Sequence, residues 1–202
     1  DEVQQELLLR LKTALEQETP VRDLDLTPEE QTLTRGYQFL TAKPVLVVLN
    51  VGDGGSLDPA DHLVYEHKHS ALICLRGGLE MEIAQLDAEE QALFLQEYGI
   101  PEPGLNRMIR QSYQLLGLHS FFTVGEDEVR SWTIPVGATA LEAAGAIHSD
   151  LARGFIRAEE IGYDDLVAAG SLDAARKKGV MRLQGRDYVV KDGDVLSIRF
   201  NV

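Results

Sequence analysis

The sequence predicts an α/β layer built on parallel strands, with a helical arm before it and a smaller α+β module after it. Three observations lead there. Residues 45–49 form an unbroken, β-branched and leucine-rich run after Pro44, the habit of a strand covered on both faces in a parallel sheet. Residues 1–18 carry Val3, Leu7, Leu8, Leu11 and Leu15 at helical spacing among Glu and Gln, so one stripe is apolar and the rest is wet. From Ser120 onward, short candidate strands surround one helix around residues 141–148.

Taken in order, residues 1–18 read as one arm of a helical hairpin whose partner lies upstream. A second helix starts at Thr27, which can cap, with Pro28 at the first helical position and Glu30 placed to reach back. It is expected to run to Leu40 and hand the chain to the strand at Val45. Asp58-Pro59 opens an expected helix through Lys68, and residues 71–75 read as the next strand, which makes one right-handed βαβ step. Asp87 caps a helix from Ala88, and Pro103-Gly104 starts another that stops near Gly117. Beyond it, strands are expected at 120–124, 129–134, 187–190 and 195–200, with a tight turn at Lys191-Asp192-Gly193-Asp194.

Composition excludes several classes. A hydrophobic share of 44% and a charged share of 26% are those of a globular chain long enough for one or two cores. No apolar run reaches transmembrane length and no signal-peptide pattern occurs, so no membrane partner is expected. The first residue is Asp1 rather than Met, which points to a fragment or a trimmed product. A single cysteine, Cys74, rules out an internal disulfide framework and suits a reducing compartment; within its apolar run it reads as a core residue. The net charge of −14 is uneven: residues 1–118 hold 20 acidic and 9 basic side chains, residues 119–202 hold 13 and 10. The acidic first half argues against its embracing a nucleic-acid backbone. The second half stays open to one through Arg176, Lys177, Lys178, Arg182 and Arg186, or else that run is a solvated face.

Candidate chemistry concentrates where the first strand ends. Asn50 and Asp53 follow the apolar run, with Gly52, Gly54 and Gly55 beside them; they either start a turn or meet a ligand beyond the carboxyl end of a parallel strand. Arg76-Gly77-Gly78 forms a second loop at the same sheet edge. His62, His67 and His69 do not share one helical face, and no metal site is expected from them or from Asp53, Asp58 and Asp61. No nucleophile elbow and no Gly-x-x-x-x-Gly-Lys-Ser/Thr loop occurs, so no catalytic residue is assigned. Without a loop to cradle phosphates and a hydroxyl for magnesium, these residues alone should not hydrolyse a nucleoside triphosphate.

Longer blocks carry a resemblance. Thr41-Ala42-Lys43-Pro44 into residues 45–50, the stretch from Glu80 to Asp87, Gly104-Leu105-Asn106-Arg107, Trp132-Thr133-Ile134-Pro135-Val136-Gly137, Gly154-Phe155-Ile156-Arg157-Ala158-Glu159, and Lys191-Asp192-Gly193-Asp194-Val195 with Phe200-Asn201-Val202 resemble the YchF / Obg-like ATPase family over essentially the whole chain. The resemblance implies the C-terminal part of such a protein. Residues 1–40 would be the returning arm of a helical coiled-coil insertion, 41–118 the end of a P-loop NTPase-like domain without its P-loop, and 119–202 a TGS domain of β-grasp type. It also implies ATP, or GTP, as the nucleotide, Mg2+ bound by residues upstream of Asp1, the ribosome or its RNA as partner, and the cytoplasm as compartment. A second reading, from another class, is a non-catalytic ribosome- or RNA-binding module.

Within the resemblance, Asn50-Val51-Gly52-Asp53 occupies the base-recognition loop, which ordinary GTPases write Asn-Lys-x-Asp. The family usually places Glu at the last position, whereas this chain has Asp53. Arg76, Gly77 and Gly78 would form the second base-contacting loop, with Arg76 either stacked on the base or turned to solvent.

Overall fold

The computed structural model describes residues 2–125 and 127–201; Asp1 and Val202, both included in the readings above, lie outside the described residues. The chain divides into two compact units, Asp1–Leu116 and Gly117–Val202. Its class is mixed α/β, as the sequence predicts.

In the first unit, α1 (Glu2–Glu16) buries Leu7 and Leu11 from the anticipated stripe. Their cover is local: Val21 with half-buried Leu24, Leu26, Leu33 and Phe39, all from the next turn of chain, closes the cluster. Val3 and Leu15 stay exposed at the ends. The reciprocal Thr27–Glu30 capping box starts α2 (Pro28–Thr34), and Glu30 also receives Arg10 of α1 at 2.9 Å. This helix stops at Thr34 instead of reaching Leu40. Gly36 weakens continuation, and Gln38 takes a left-handed φ of 53° between two short 3-10 turns, which breaks the helical hydrogen-bond ladder.

Two parallel strands follow, β1 (Val45–Asn50) and β2 (Ser70–Leu75), in register from Val45↔Ser70 to Asn50↔Leu75. Their connection corrects the sequence reading. Only a single 3-10 turn, Pro59–Asp61, forms where a helix to Lys68 is expected, capped by the Asp58 carboxylate on the Ala60 amide. The rest of that connection spends its polar groups elsewhere: Tyr65 and His67 bond Arg22 and Asp23 at 2.7 Å each, and the Lys68 amide bonds Asp23. A helix would pull all three away from those partners. The second correction concerns burial. Ile73 and Cys74 of β2 are buried, but no residue of β1 is, and Val48 is 38% exposed. Among the described residues β1 pairs only with β2, so the strand expected to be covered on both faces is half covered.

Three helices complete the unit: α3 (Gly77–Ile83), α4 (Ala88–Glu97) and α5 (Gly104–Leu115), the last packed against both strands. Asp87 caps α4 by accepting the Glu89 and Glu90 amides at 3.0 Å, and Gly117, with φ of 63°, ends the run after α5.

The second unit is a five-stranded sheet, order β4-β3-β7-β5-β6, in which β3 (Leu118–Val124) and β7 (Asp194–Phe200) are parallel. The other pairs, β3 with β4 (Val129–Pro135), β5 (Phe155–Gly162) with β7, and β5 with β6 (Arg182–Gln184), are antiparallel. On one face α6 (Ala140–Ile147) presses Ala140, Ala143 and Ala144 onto Phe121, Ile134, Ala158 and Leu196. Alanines let the helix approach the sheet closely, so the core is thin and well filled. After α6 come α7 (Ser149–Arg153), then α8 (Tyr163–Ala169) and α9 (Leu172–Lys178), which help enclose a second cluster around Ile161, Ala175 and Val195. Three short helices and strands β5 and β6 are thus additional to the expected layout. The expected strand at 187–190 is reduced to one bridge, Val189↔Thr139, because its neighbour is the turn into α6: Val190 donates to the Ala138 carbonyl and Tyr188 accepts the Ala140 amide, and the chain beyond is helical.

Candidate functional site

The carboxyl ends of β1 and β2 meet in one rim. Asn50, the last residue of β1, accepts the Gly77 amide on Oδ1 at 3.0 Å, and the Val51 amide bonds the Leu75 carbonyl at 2.8 Å. A Cβ on Gly77 would sit 2.8 Å from Asn50 Oδ1, so the bond depends on glycine there. Gly55 is cramped in the same way, since a Cβ would lie 2.9 Å from Val51 Cβ; Gly52, Gly54 and Gly78 border open space. The Asp53 carboxylate is exposed and makes no hydrogen bond or ion pair with the described residues. Asn50, Val51, Asp53, Gly77 and Gly78 therefore share one sheet edge, with the carboxylate free to accept donors.

Gly77 and Gly78 are not a loop, however. They form the first turn of α3, with Arg76 as the residue that precedes it. Nor does Arg76 take either orientation the sequence suggests. Its guanidinium bonds the Gly55 carbonyl through Nε and Nη2, at 3.0 and 2.8 Å, and the Tyr98 carbonyl through Nη1 at 2.8 Å. Arg76 thus ties the 51–55 turn to the end of α4.

Beneath the rim lies a carboxylate the sequence reading left unassigned. Glu80 Oε1 accepts the Arg76 amide at 3.1 Å and Arg107 Nη2 at 2.8 Å, while Oε2 accepts the Gly104 amide. Arg107 also donates to the Cys74 carbonyl at 3.0 Å, and its Nε has no partner among the described residues. The side chains of Glu80 and Arg107 are 10% and 14% exposed. A buried carboxylate with three donors is a hub that fixes the start of α3, the start of α5 and the end of β2 together. A cleft of about 280 Å³ opens beside it, lined by Leu75, Glu80, Met81, Leu95 and Leu105. Cys74 is buried, and burial, with Asp58 nearby, pushes its thiol above the ordinary value, which suits a core residue.

In the second unit, the predicted basic run is spread over several elements. Arg176, Lys177 and Lys178 end α9, Arg182 lies on β6, and Arg186 follows it. Arg176 bonds Glu159 at 3.2 Å and Asp173 at 3.1 Å, Lys178 bonds the Ala168 carbonyl, and Arg186 bonds the Phe155 carbonyl. Burial raises the Glu159 carboxyl, but bonds from Arg199 and Arg176 outweigh it and leave the group below its ordinary value. The histidines go separate ways: His62 bonds the Ser56 carbonyl, His67 bonds Asp23, and His148 caps α7. No metal-sized group of His, Cys, Asp and Glu occurs among the described residues.

Against known proteins, residues 118–201 match the family YchF-GTPase_C, described as "Protein of unknown function (DUF933)". The ribosome-binding ATPase YchF of Bacillus subtilis (strain 168) is 45% identical over 206 residues, covering 98% of this chain and 56% of that protein. The chain is the C-terminal portion of a YchF-like protein. The protein of the same name from Escherichia coli O157:H7 is also 45% identical, over 93% of this chain and 53% of its own length. The YchF-like portion spans about half the length of the curated relatives it matches. Its fold agrees with the structure of the Schizosaccharomyces pombe YchF GTPase, at a TM-score of 0.81 and 28% identity over 98% of this chain and 55% of that one. Among the described residues, no helix is long and apolar enough to cross a membrane.

Proposed function

We propose that this chain supplies the base-recognition edge and the C-terminal module of a ribosome-associated P-loop nucleotide hydrolase. On this reading the phosphate loop and Mg2+ ligands belong to an upstream part of the same protein. The observation that carries it is the rim: Asn50 is tied to the Gly77 amide, and the Asp53 carboxylate stands free beside it at the carboxyl ends of two parallel strands, where α/β sheets take their ligands. Arg76 acts here as a positioning residue, holding the 51–55 turn through the Gly55 carbonyl.

Residues 1–40 would then be the returning arm of the helical insertion, 41–118 the end of the nucleotide domain, and 119–202 a TGS module. The five-stranded mixed sheet wrapped on α6 supports a β-grasp assignment for the last. ATP or GTP is the nucleotide; the bacterial relatives are named ATPases and the fission-yeast structure a GTPase. Those bacterial names also support the ribosome as partner, with the cytoplasm as the compartment. The run from Arg176 to Arg186 is its contact of first choice.

Two measurements test this reading. The 202-residue chain should release no phosphate from ATP or GTP above a buffer control; turnover that disappears in Asp53→Ala would overturn the assignment. In the full-length protein, Asn50→Ala removes one hydrogen bond worth about 1 kcal/mol, so a fluorescent ATP analogue should bind about fivefold more weakly. Unchanged affinity would take Asn50 out of the nucleotide site.

A further inference from the structure

The amino ends of β1 and β2, about 16 Å along the strands from the rim, border a cleft of about 540 Å³. Its wall comes from the turns between α1 and β1 and from His69, whose carbonyl takes the Val45 amide at 3.1 Å. Val21, Leu26, Phe39 and Pro44 make much of that wall apolar. The ionisable part has one sign. Arg22, Arg35, Lys43 and His69 line the cleft, and among the described residues no Asp or Glu does. Residues 1–118 hold 20 acids against 9 bases, so a cleft that gathers three of those bases and no acid runs against the composition around it.

Arg22 makes that charge costly to leave bare. It is half-buried and donates from Nη2 to the Tyr65 hydroxyl at 2.7 Å and from Nη1 to the Thr41 carbonyl at 3.3 Å, both neutral acceptors. Its Nε is buried with no acceptor among the described residues. Asp23, next in sequence, spends its oxygens on His67 and the Lys68 amide and acts on Arg22 only through space. A guanidinium drawn partly out of water calls for an anion or a full set of acceptors, and Arg22 has neither. Arg35, Lys43 and His69 make no side-chain hydrogen bond or ion pair with the described residues. The backbone is constrained at the same place. Gln38, at φ 53°, and His69, at φ 47°, are two of the three non-glycine residues described with a left-handed φ, and both line the cleft. Such strain persists only where the surroundings enforce it, and it gathers at ligand sites.

We propose that this cleft binds a small organic phosphate, a phosphomonoester held by Arg22, Arg35 and Lys43 with its apolar or aromatic body packed on Phe39 and Leu26. Three cationic side chains match a phosphomonoester dianion better than a single carboxylate, and guanidiniums suit phosphate oxygens. The volume is that of a metabolite-sized pocket, and a concave, half-apolar wall suits a compact body rather than a polynucleotide strand. The site lies at the opposite end of β1 from Asn50 and Asp53 and stands whether or not that rim reads a base.

The test is equilibrium dialysis of the 202-residue chain against 1-naphthyl phosphate, read by naphthyl fluorescence. One molecule per chain should bind, with 1-naphthol and inorganic phosphate each at least about tenfold weaker, because each lacks one half of the match. Arg35→Gln with Lys43→Gln should weaken binding at least about tenfold, since it removes two charge-assisted contacts and breaks no side-chain bond among the described residues. Arg22→Gln should weaken it too, but it also cuts the bonds to Tyr65 and Thr41, so the double variant decides. Lys12→Gln, an exposed cation outside the cleft, should leave binding alone. Unchanged affinity in the double variant overturns the site. So does 1-naphthol bound as tightly as its phosphate, which would make the cleft a plain apolar hollow, or displacement by a mixed-sequence RNA oligonucleotide at equal phosphate concentration, which would make it part of an extended basic surface. The full-length protein, with saturating ATP present to fill any nucleotide site, should bind 1-naphthyl phosphate as the 202-residue chain does; loss of binding there would show that the upstream chain fills the cleft, and overturns the site as well.

Discussion

Glu80→Ala should unfold the first unit of this chain at far lower denaturant than the wild type while leaving the second unit where it is. The carboxylate is nine-tenths buried and accepts from the Arg76 amide, the Gly104 amide and Arg107 Nη2. Its removal leaves Arg107 charged and largely buried, with only the Cys74 carbonyl as partner. Breaking one side of a buried pair costs about 3–5 kcal/mol, and two orphaned backbone donors add to that. A loss of this size rivals the whole stability of many domains, which is about 5–15 kcal/mol.

The two units can be watched separately. The only tryptophan, Trp132, lies on β4 of the second unit, where its indole donates to Thr123 at 3.0 Å. Its fluorescence reports that unit alone, whereas far-UV dichroism sums both. In Glu80→Ala the dichroism transition should split, with its early part shifted down and its later part still matching the Trp132 midpoint. Coincident, unshifted transitions would mean that water replaces the carboxylate without loss and that Glu80 is no hub.

The same network shows where sequence reading reached and where it stopped. Helix starts were legible because their signals are local: Thr27 with Glu30, and Asp87 before Ala88, need only a few residues to satisfy a helix end. Asp58-Pro59 carries an equally local signal and misleads, because a capped turn and a capped helix look alike for three residues and the decision is made by Asp23 and Arg22, over thirty positions away. Strand β5 was illegible for a related reason. Its core face presents Phe155, Ala158 and Glu160, only one of them a strand former, and Glu160 is buried by a bond from Gln184 on β6. Nothing in the stretch itself announces that a glutamate faces inward.

At the rim, the sequence put Asn50, Asp53 and the stretch from Arg76 to Gly78 at one sheet edge, as the fold does, and misjudged how Arg76 is held. Asn50 and Asp53 stand out after an apolar run, but whether they touch each other, a ligand or water is a matter of distance, not spacing. Arg76 is the clearest case: a lone arginine before two glycines reads as exposed, and only the fold brings the Gly55 and Tyr98 carbonyls to it.

Base choice should turn on Asp53. A carboxylate can accept from guanine N1 and N2 together, a pair of donors adenine does not offer, and a good bidentate contact of that kind is worth about 1–3 kcal/mol, or roughly tenfold to a hundredfold in affinity. Asp53 is exposed, with open space at Gly52 and Gly54 on either side, so none of the described residues competes for its oxygens. A glutamate at this position, the residue of the resembled family, reaches one methylene further and displaces the oxygens from that geometry. Val51, where GTPases carry lysine, works in the other direction: it puts an apolar side chain and no charge beside the base, and such a surface accepts adenine as well as guanine. The full-length protein should therefore use ATP yet bind GTP within about two orders of magnitude of it, and Asp53→Glu should widen the gap by about tenfold. Competition of ATP and GTP against a fluorescent nucleotide measures the ratio directly. Because Asp53 makes no bond with the described residues, the substitution should leave thermal stability unchanged, so a shifted ratio reports the base contact and not a damaged fold. An Asp53→Glu protein with the wild-type ratio would show that the carboxylate faces water in the complex too, and that the backbone of the rim, from Asn50 to Gly78, reads the base without it.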